Sequence, residues 1–149
     1  YHSILMIESA PLRLKQRITT LNEEELEFTY REGSWTVRQI VHHLADSHMN
    51  MWIRVKHTLI QKNPTIQPYN QNAWADSIDY KTAPLETSLA IFEGVQLRFS
   101  NLLKHLNESD FKRTYVHPEY NKQYTLGEVV QLYAWHGMHH TAQIEGIFK

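Results

Sequence analysis

The sequence predicts an all-α four-helix bundle. Three observations carry that expectation: four segments repeat apolar residues at helical spacing, two of them open on threonine capping boxes, and one long polar connection lets the chain cross the bundle.

The first segment runs from about Pro11 to about Glu27, with Leu12, Leu14, Ile18, Leu21 and Leu26 as apolar positions. Pro11 suits a first turn, where its missing N–H costs no intrahelical bond. The second runs from about Val37 to about Gln61, and the third from about Pro84 to about Leu106 with Leu85, Leu89, Phe92, Leu97, Leu102, Leu103 and Leu106. The fourth begins near Leu126 and continues to the C-terminus. Thr36-Val37-Arg38-Gln39 and Thr125-Leu126-Gly127-Glu128 both fit a capping box, in which the threonine hydroxyl accepts a free backbone amide and the Gln or Glu reaches back. Such a box fixes where a helix starts, and so which way its side chains point. Asn63 to Ala83, with Pro64, Pro68 and several Asn and Gln, reads as a long loop. Arg113 to Tyr124 reads as a short hairpin around Pro118-Glu119-Tyr120-Asn121. No repeat or linker divides the chain, so residues 1–149 are expected to form one domain.

The charge balance excludes several classes of partner. With 16 acidic and 15 basic residues mixed along the chain and a net charge of −1, neither nucleic acid nor an acidic membrane surface is expected. No apolar run approaches the roughly 20 residues that span a bilayer. The first residues lack the basic and apolar runs of a signal peptide, and cytoplasmic residence is expected. The absence of cysteine excludes disulfides, thiolate ligands and a cysteine nucleophile.

Ten histidines in 149 residues stand out, and two clusters hold the informative ones: His42, His43 and His48 in the second helix, and His136, His139 and His140 in the fourth. On the fourth helix Leu126, Val129, Val130, Tyr133, Gly137, Ile144, Ile147 and Phe148 form one stripe. His136 and His140 lie on or beside it, four residues and roughly 40° apart, close enough to share one ion; His139 points away. On the second helix the stripe runs through Val37, Ile40, Val41, Leu44, Met51, Val55 and Leu59. There the helical wheel puts His48 in the middle, His43 on the flank and His42 near the back. Periodicity alone therefore nominates His48 as the third ligand, with His43 second. Two imidazoles without a carboxylate partner are awkward to bury, and a shared cation resolves the difficulty.

The run Gly33-Ser34-Trp35-Thr36-Val37-Arg38-Gln39-Ile40-Val41-His42-His43-Leu44-Ala45-Asp46-Ser47-His48 resembles the YfiT-like branch of the DinB superfamily. So do Leu132-Tyr133-Ala134-Trp135-His136-Gly137-Met138-His139-His140-Thr141-Ala142-Gln143-Ile144 and the intervening Ile66-Gln67-Pro68-Tyr69 and Ala73-Trp74. The resemblance implies a bundle holding one divalent metal ion through His43, the histidine just before Leu-x-Asp, and through His136 and His140 of the closing His-x-x-x-His. On this reading His48 is a buried or interface histidine, and His42 and His139 have no ligand role. Gln143 stands where the branch often has a further histidine. The resemblance also implies a homodimer acting on a small-molecule substrate.

Three imidazoles and no anionic ligand leave a cation charged and open to substrate, a catalytic rather than a structural arrangement. Zinc or nickel is expected, although iron and copper suit the same ligands. The resemblance implies thiol transfer with bacillithiol as cosubstrate, the metal activating the thiol. Hydrolysis through an activated water is the alternative. A metal-binding stress-response module without turnover is the reading of another class. Asp46, three residues after His43, is the nearest carboxylate in sequence and a candidate to orient a ligand; a surface or interhelical contact is its alternative role. Arg38, Arg54 and Lys56 are candidates for a cosubstrate's carboxylates, or else solvated charges. Trp74, alone in a polar loop, is a candidate to cover an active-site mouth or a partner subunit.

Overall fold

All four long helices are present in a computed structural model, which describes residues 2–149: α1 His2–Ile18, α2 Val37–Ile60, α5 Leu85–Leu103 and α7 Leu126–Ile147. α1 and α2 each pack against both α5 and α7, so these two lie diagonally across the bundle. Both capping boxes form as expected. Thr36 Oγ1 accepts from Gln39 N at 3.1 Å while Gln39 Oε1 accepts from Thr36 N at 3.0 Å. The Thr125–Glu128 box repeats this at 3.1 and 2.7 Å. The hairpin is also present: β1 Thr114–His117 pairs antiparallel with β2 Lys122–Thr125.

Two expectations about the connections are corrected. The first helix does not start at Pro11; it spans His2–Ile18 with Pro11 in its interior. Its buried face is Ile7, Ala10, Leu14 and Ile18, whereas Leu12 points to solvent at 60% exposure. The chain then breaks, and Asn22 and Glu25 exchange two backbone-to-side-chain hydrogen bonds at the entry to a separate 3-10 turn, Glu25–Glu27, that buries Leu26. The stretch from Asn63 to Ala83 is not all loop. It carries two short helices, α3 Gln71–Ala75 and α4 Ile78–Thr82, which pack on the far side of α2. Asn70 caps α3 by accepting from Ala73 N at 3.0 Å, a local signal outweighed in the sequence by the neighbouring prolines. A further short helix, α6 Glu108–Phe111, precedes the hairpin.

The apolar core is split in two. One cluster holds Ile7, Met51, Val55, Phe99, Leu126, Val129 and Ala134; the other holds Ala10, Leu14, Val37, Ile40, Val41, Leu44, Phe92 and Ile144. On α2, α5 and α7 the residues between the two clusters are polar and buried: His43 and His48, Gln96, and His140. Burying such a layer is costly unless every group finds a partner. The bundle is built around a polar floor, and its chemistry lies there.

Candidate metal centre

Three ring nitrogens converge in this layer. His43 Nε2 lies 3.3 Å from His136 Nε2, which lies 3.2 Å from His140 Nε2. One nitrogen from each of the three rings falls within 4.8 Å of the others. Imidazole nitrogens about 2.0–2.1 Å from a tetrahedral ion stand about 3.3 Å apart, so the spacing suits a shared cation. Between His136 and His140, Gly137 lets α7 approach α1 and α5 closely. A Cβ there would meet the Ala10 Cβ at 3.3 Å and Phe92 at 3.6 Å.

The hydrogen bonds behind His136 and His140 fix the tautomers of those two rings. α1 supplies the starting point: Pro11 has no N–H, so the Ile7 carbonyl lacks its helical donor. Gln96 Nε2 donates to that carbonyl at 3.4 Å, which turns Gln96 Oε1 toward His48. His48 Nδ1 donates to Gln96 Oε1 at 2.9 Å, leaving His48 Nε2 an acceptor. His136 Nδ1 donates to His48 Nε2 at 3.3 Å, so His136 Nε2 carries a lone pair. His140 Nδ1 donates to Gln143 Oε1 at 2.7 Å, so His140 Nε2 carries one too. Two lone pairs therefore face each other at 3.2 Å, an arrangement that repels unless a cation sits between them. The donor set fits a metal ion.

Burial keeps all four rings neutral. It depresses His43 and His48 to about 3 and His140 to about 4, and holds His136 well below the ordinary histidine value; the rings' mutual repulsion adds to the effect. His43 Nδ1 is buried without a hydrogen-bond partner, and the ring instead packs on Trp35, centroids 4.6 Å apart.

The structure sorts the other candidates. His48, which periodicity nominated, is fully buried but stands one step behind the triad as the acceptor for His136. His42 is not at the back of a solvent-facing helix. It is 4% exposed, its Nδ1 lies 2.6 Å from Ser88 Oγ, and Tyr80 of α4 packs on it. The wheel failed there because α3 and α4 cover the face it assigned to solvent. His139 stacks on Trp135 outside the triad. Asp46 does not orient a triad histidine; its carboxylate accepts from the Tyr80 hydroxyl at 2.6 Å, an interhelical contact. Arg38 is paired with Glu23 and Glu27, both at 2.6 Å, and Lys56 lies over the Trp52 ring. Arg54 alone of the three cations reaches the cavity beside the triad. Trp74 packs on Tyr69, which lines that cavity. Sequence reasoning missed Gln96. Gln96 left a signal: it interrupts the buried stripe of Phe92, Phe99 and Leu103 with a polar residue.

The sequence pattern of the DinB superfamily matches residues 6–144. The chain belongs to that superfamily. Among DinB relatives, a protein of Oceanobacillus iheyensis is 45% identical over 143 residues, 96% of this chain and 82% of that one. YfiT of Bacillus subtilis is 43% identical over 141 residues, 95% of this chain and 79% of its own. Both carry the words metal-dependent hydrolase in their names, and neither name states a substrate. The solved structure of YfiT, described as having an unusual four-helix bundle topology, superposes with a TM-score of 0.96 at 42% identity, covering 98% of this chain and 83% of that one. A mycothiol-dependent maleylpyruvate isomerase shares the fold at a TM-score of 0.73 and 11% identity, over 96% of this chain and 59% of that one.

Proposed function

We propose that this DinB protein is a metal-dependent enzyme in which His43, His136 and His140 hold one divalent cation through Nε2, and that it transfers a low-molecular-weight thiol of the bacillithiol type to a small electrophile. The observation that carries the metal reading is the approach of His136 Nε2 to His140 Nε2 at 3.2 Å while both Nδ1 atoms are engaged by His48 and Gln143. When bound, the cation supplies Lewis acidity that favours the anionic form of a thiol or a water. Zinc and nickel both suit three imidazoles. The chain does the rest. Gln96, His48 and Gln143 hold the His136 and His140 rings in the metal-binding tautomer, and a cavity of about 430 Å³ bordered by His43 and His136 admits the reactants.

Thiol transfer is favoured over hydrolysis by the carboxylates. Hydrolysis needs a base beside the nucleophile, and Asp46 is engaged by Tyr80. Hydrolysis remains the second reading because the relatives' names point to it and because exposed Glu119 lines the cavity. Metal-loaded protein mixed with bacillithiol and monochlorobimane is expected to form conjugate at least tenfold faster than protein treated with a chelator. Metal-dependent turnover of esters or amides without conjugation would replace this reading with hydrolysis. Silence in both assays would leave a metal-binding module without turnover.

The hydrogen-bond chain behind His136 has its own test. Gln96→Leu removes the acceptor that sets the His48 tautomer, and with it the acceptor that orients His136. Loss of such supporting partners costs roughly 10–100-fold in metal affinity. Competition against a chromophoric chelator is expected to show a loss in that range, with the far-ultraviolet circular dichroism of the bundle retained.

A further inference from the structure

The cavity beside the triad is rich in hydrogen-bond donors and carries one strong cation. Arg54 follows His43 by eleven residues on α2, about three turns, so the two share a helix face. Helical side chains lean toward the N-terminus, which sends the guanidinium back toward the turn that bears His43. One of its nitrogens, Nη2, donates to the Gln67 carbonyl at 3.0 Å, whereas Nε is buried without a partner. Among the described residues no carboxylate forms an ion pair with it. An unmet donor on a charged group is costly to bury. A second unmet polar atom lines the same cavity, Nδ1 of His117. The remaining polar wall includes the phenols of Tyr69, Tyr115 and Tyr133, which burial keeps protonated and therefore able to donate. Glu119, exposed at the rim, is the carboxylate of the lining.

We propose that this cavity is a carboxylate subsite: its ligand is a small organic acid whose carboxylate is gripped by Arg54 and whose reacting group is delivered to the histidine triad. The proposal rests on the metal reading above and adds the class of molecule the site accepts. A planar guanidinium matches a carboxylate in geometry. Arg54 is the one lysine or arginine in the lining, so the site offers a single guanidinium to one carboxylate of its ligand.

The absence of cysteine provides a clean test, because a cobalt–thiolate absorption band in the cobalt-loaded protein can arise only from an added thiol. Mercaptoalkanoic acids of three to eight carbons are titrated against mercaptoalcohols of the same lengths. At the best length the acid is expected to bind at least tenfold more tightly than its alcohol. Arg54→Met is expected to lower the acid's affinity to that of the alcohol, and Arg54→Lys to keep part of the preference. Equal binding of acid and alcohol at every length overturns the proposal and leaves the metal site standing, as does an undiminished preference in Arg54→Met. No band with any thiol overturns the metal reading, and the proposal with it. If Arg54→Met does not fold, the comparison of acid with alcohol in the native chain decides.

Discussion

Replacing His136 by alanine is expected to abolish stoichiometric metal binding. His136 is the middle ring: its Nε2 is the one nitrogen that lies close to both His43 Nε2 and His140 Nε2. Without it, two ligands remain and the polar relay ends at a His48 nitrogen with no donor. Losing only a supporting partner costs up to about 100-fold in affinity, so losing the central ligand is expected to exceed that. Elemental analysis after gel filtration checks the loss directly. Thermal unfolding checks it independently, since a ligand at 1,000 times its Kd stabilises a native state by about 4 kcal/mol. Native protein is expected to gain melting temperature when metal is added, and His136→Ala to gain none. His139→Ala is the control: one turn away and stacked on Trp135, it is expected to bind metal as the native chain does.

The difference between these two histidines was legible before the fold was known, and the reason is local. The Thr125–Glu128 box sets the start of α7, and the spacing of four then places His136 and His140 on one face. α2 was less legible although its box formed equally well. His42, His43, Leu44, Ala45, Ser47 and His48 are all buried, so the helix has no solvent face along that stretch to contrast with its core face. The cause is α3 and α4, folded from a segment whose prolines and amides read as loop. Periodicity correctly sensed that His48 is central. It did not distinguish a ring whose nitrogen joins the triad from one that stands behind it, because that depends on which nitrogen of which neighbour it faces. The family resemblance supplied His43, whose Nε2 the geometry places against His136. Pro11 shows the same limit from the other side. A proline near the start of an apolar run reads as a helix start, yet here it sits in the interior and frees the Ile7 carbonyl that anchors Gln96. Propensity could not reveal that, since the compensating partner lies 89 residues away.

The same polar layer makes the metal-free protein acid-labile, and this is the second large effect expected. His43 and His48 take a proton in the folded chain only at about pH 3, and His140 at about pH 4. In the unfolded chain a histidine takes one near pH 6.5. Between those limits the unfolded state binds more protons than the folded one, so stability rises with pH through this window and is lost as pH falls through it. At pH values above about 7 neither state binds the proton and the contribution is constant. Each tenfold difference in proton affinity between the two states is worth about 1.4 kcal/mol. One ring held at about 3 therefore removes on the order of 5 kcal/mol by the time the pH reaches its folded value. A whole domain has only about 5–15 kcal/mol to lose, and several rings protonate in the same window. Chelator-treated protein is thus expected to unfold cooperatively between about pH 6 and pH 4, beginning before its ordinary carboxylates protonate. Circular dichroism followed by acid titration checks this. Bound metal must be displaced before His43, His136 or His140 can protonate, so the holo-protein midpoint is expected to lie lower, and to move lower still as free metal is raised. A metal-free midpoint below pH 3 would mean that these rings are not buried together as described.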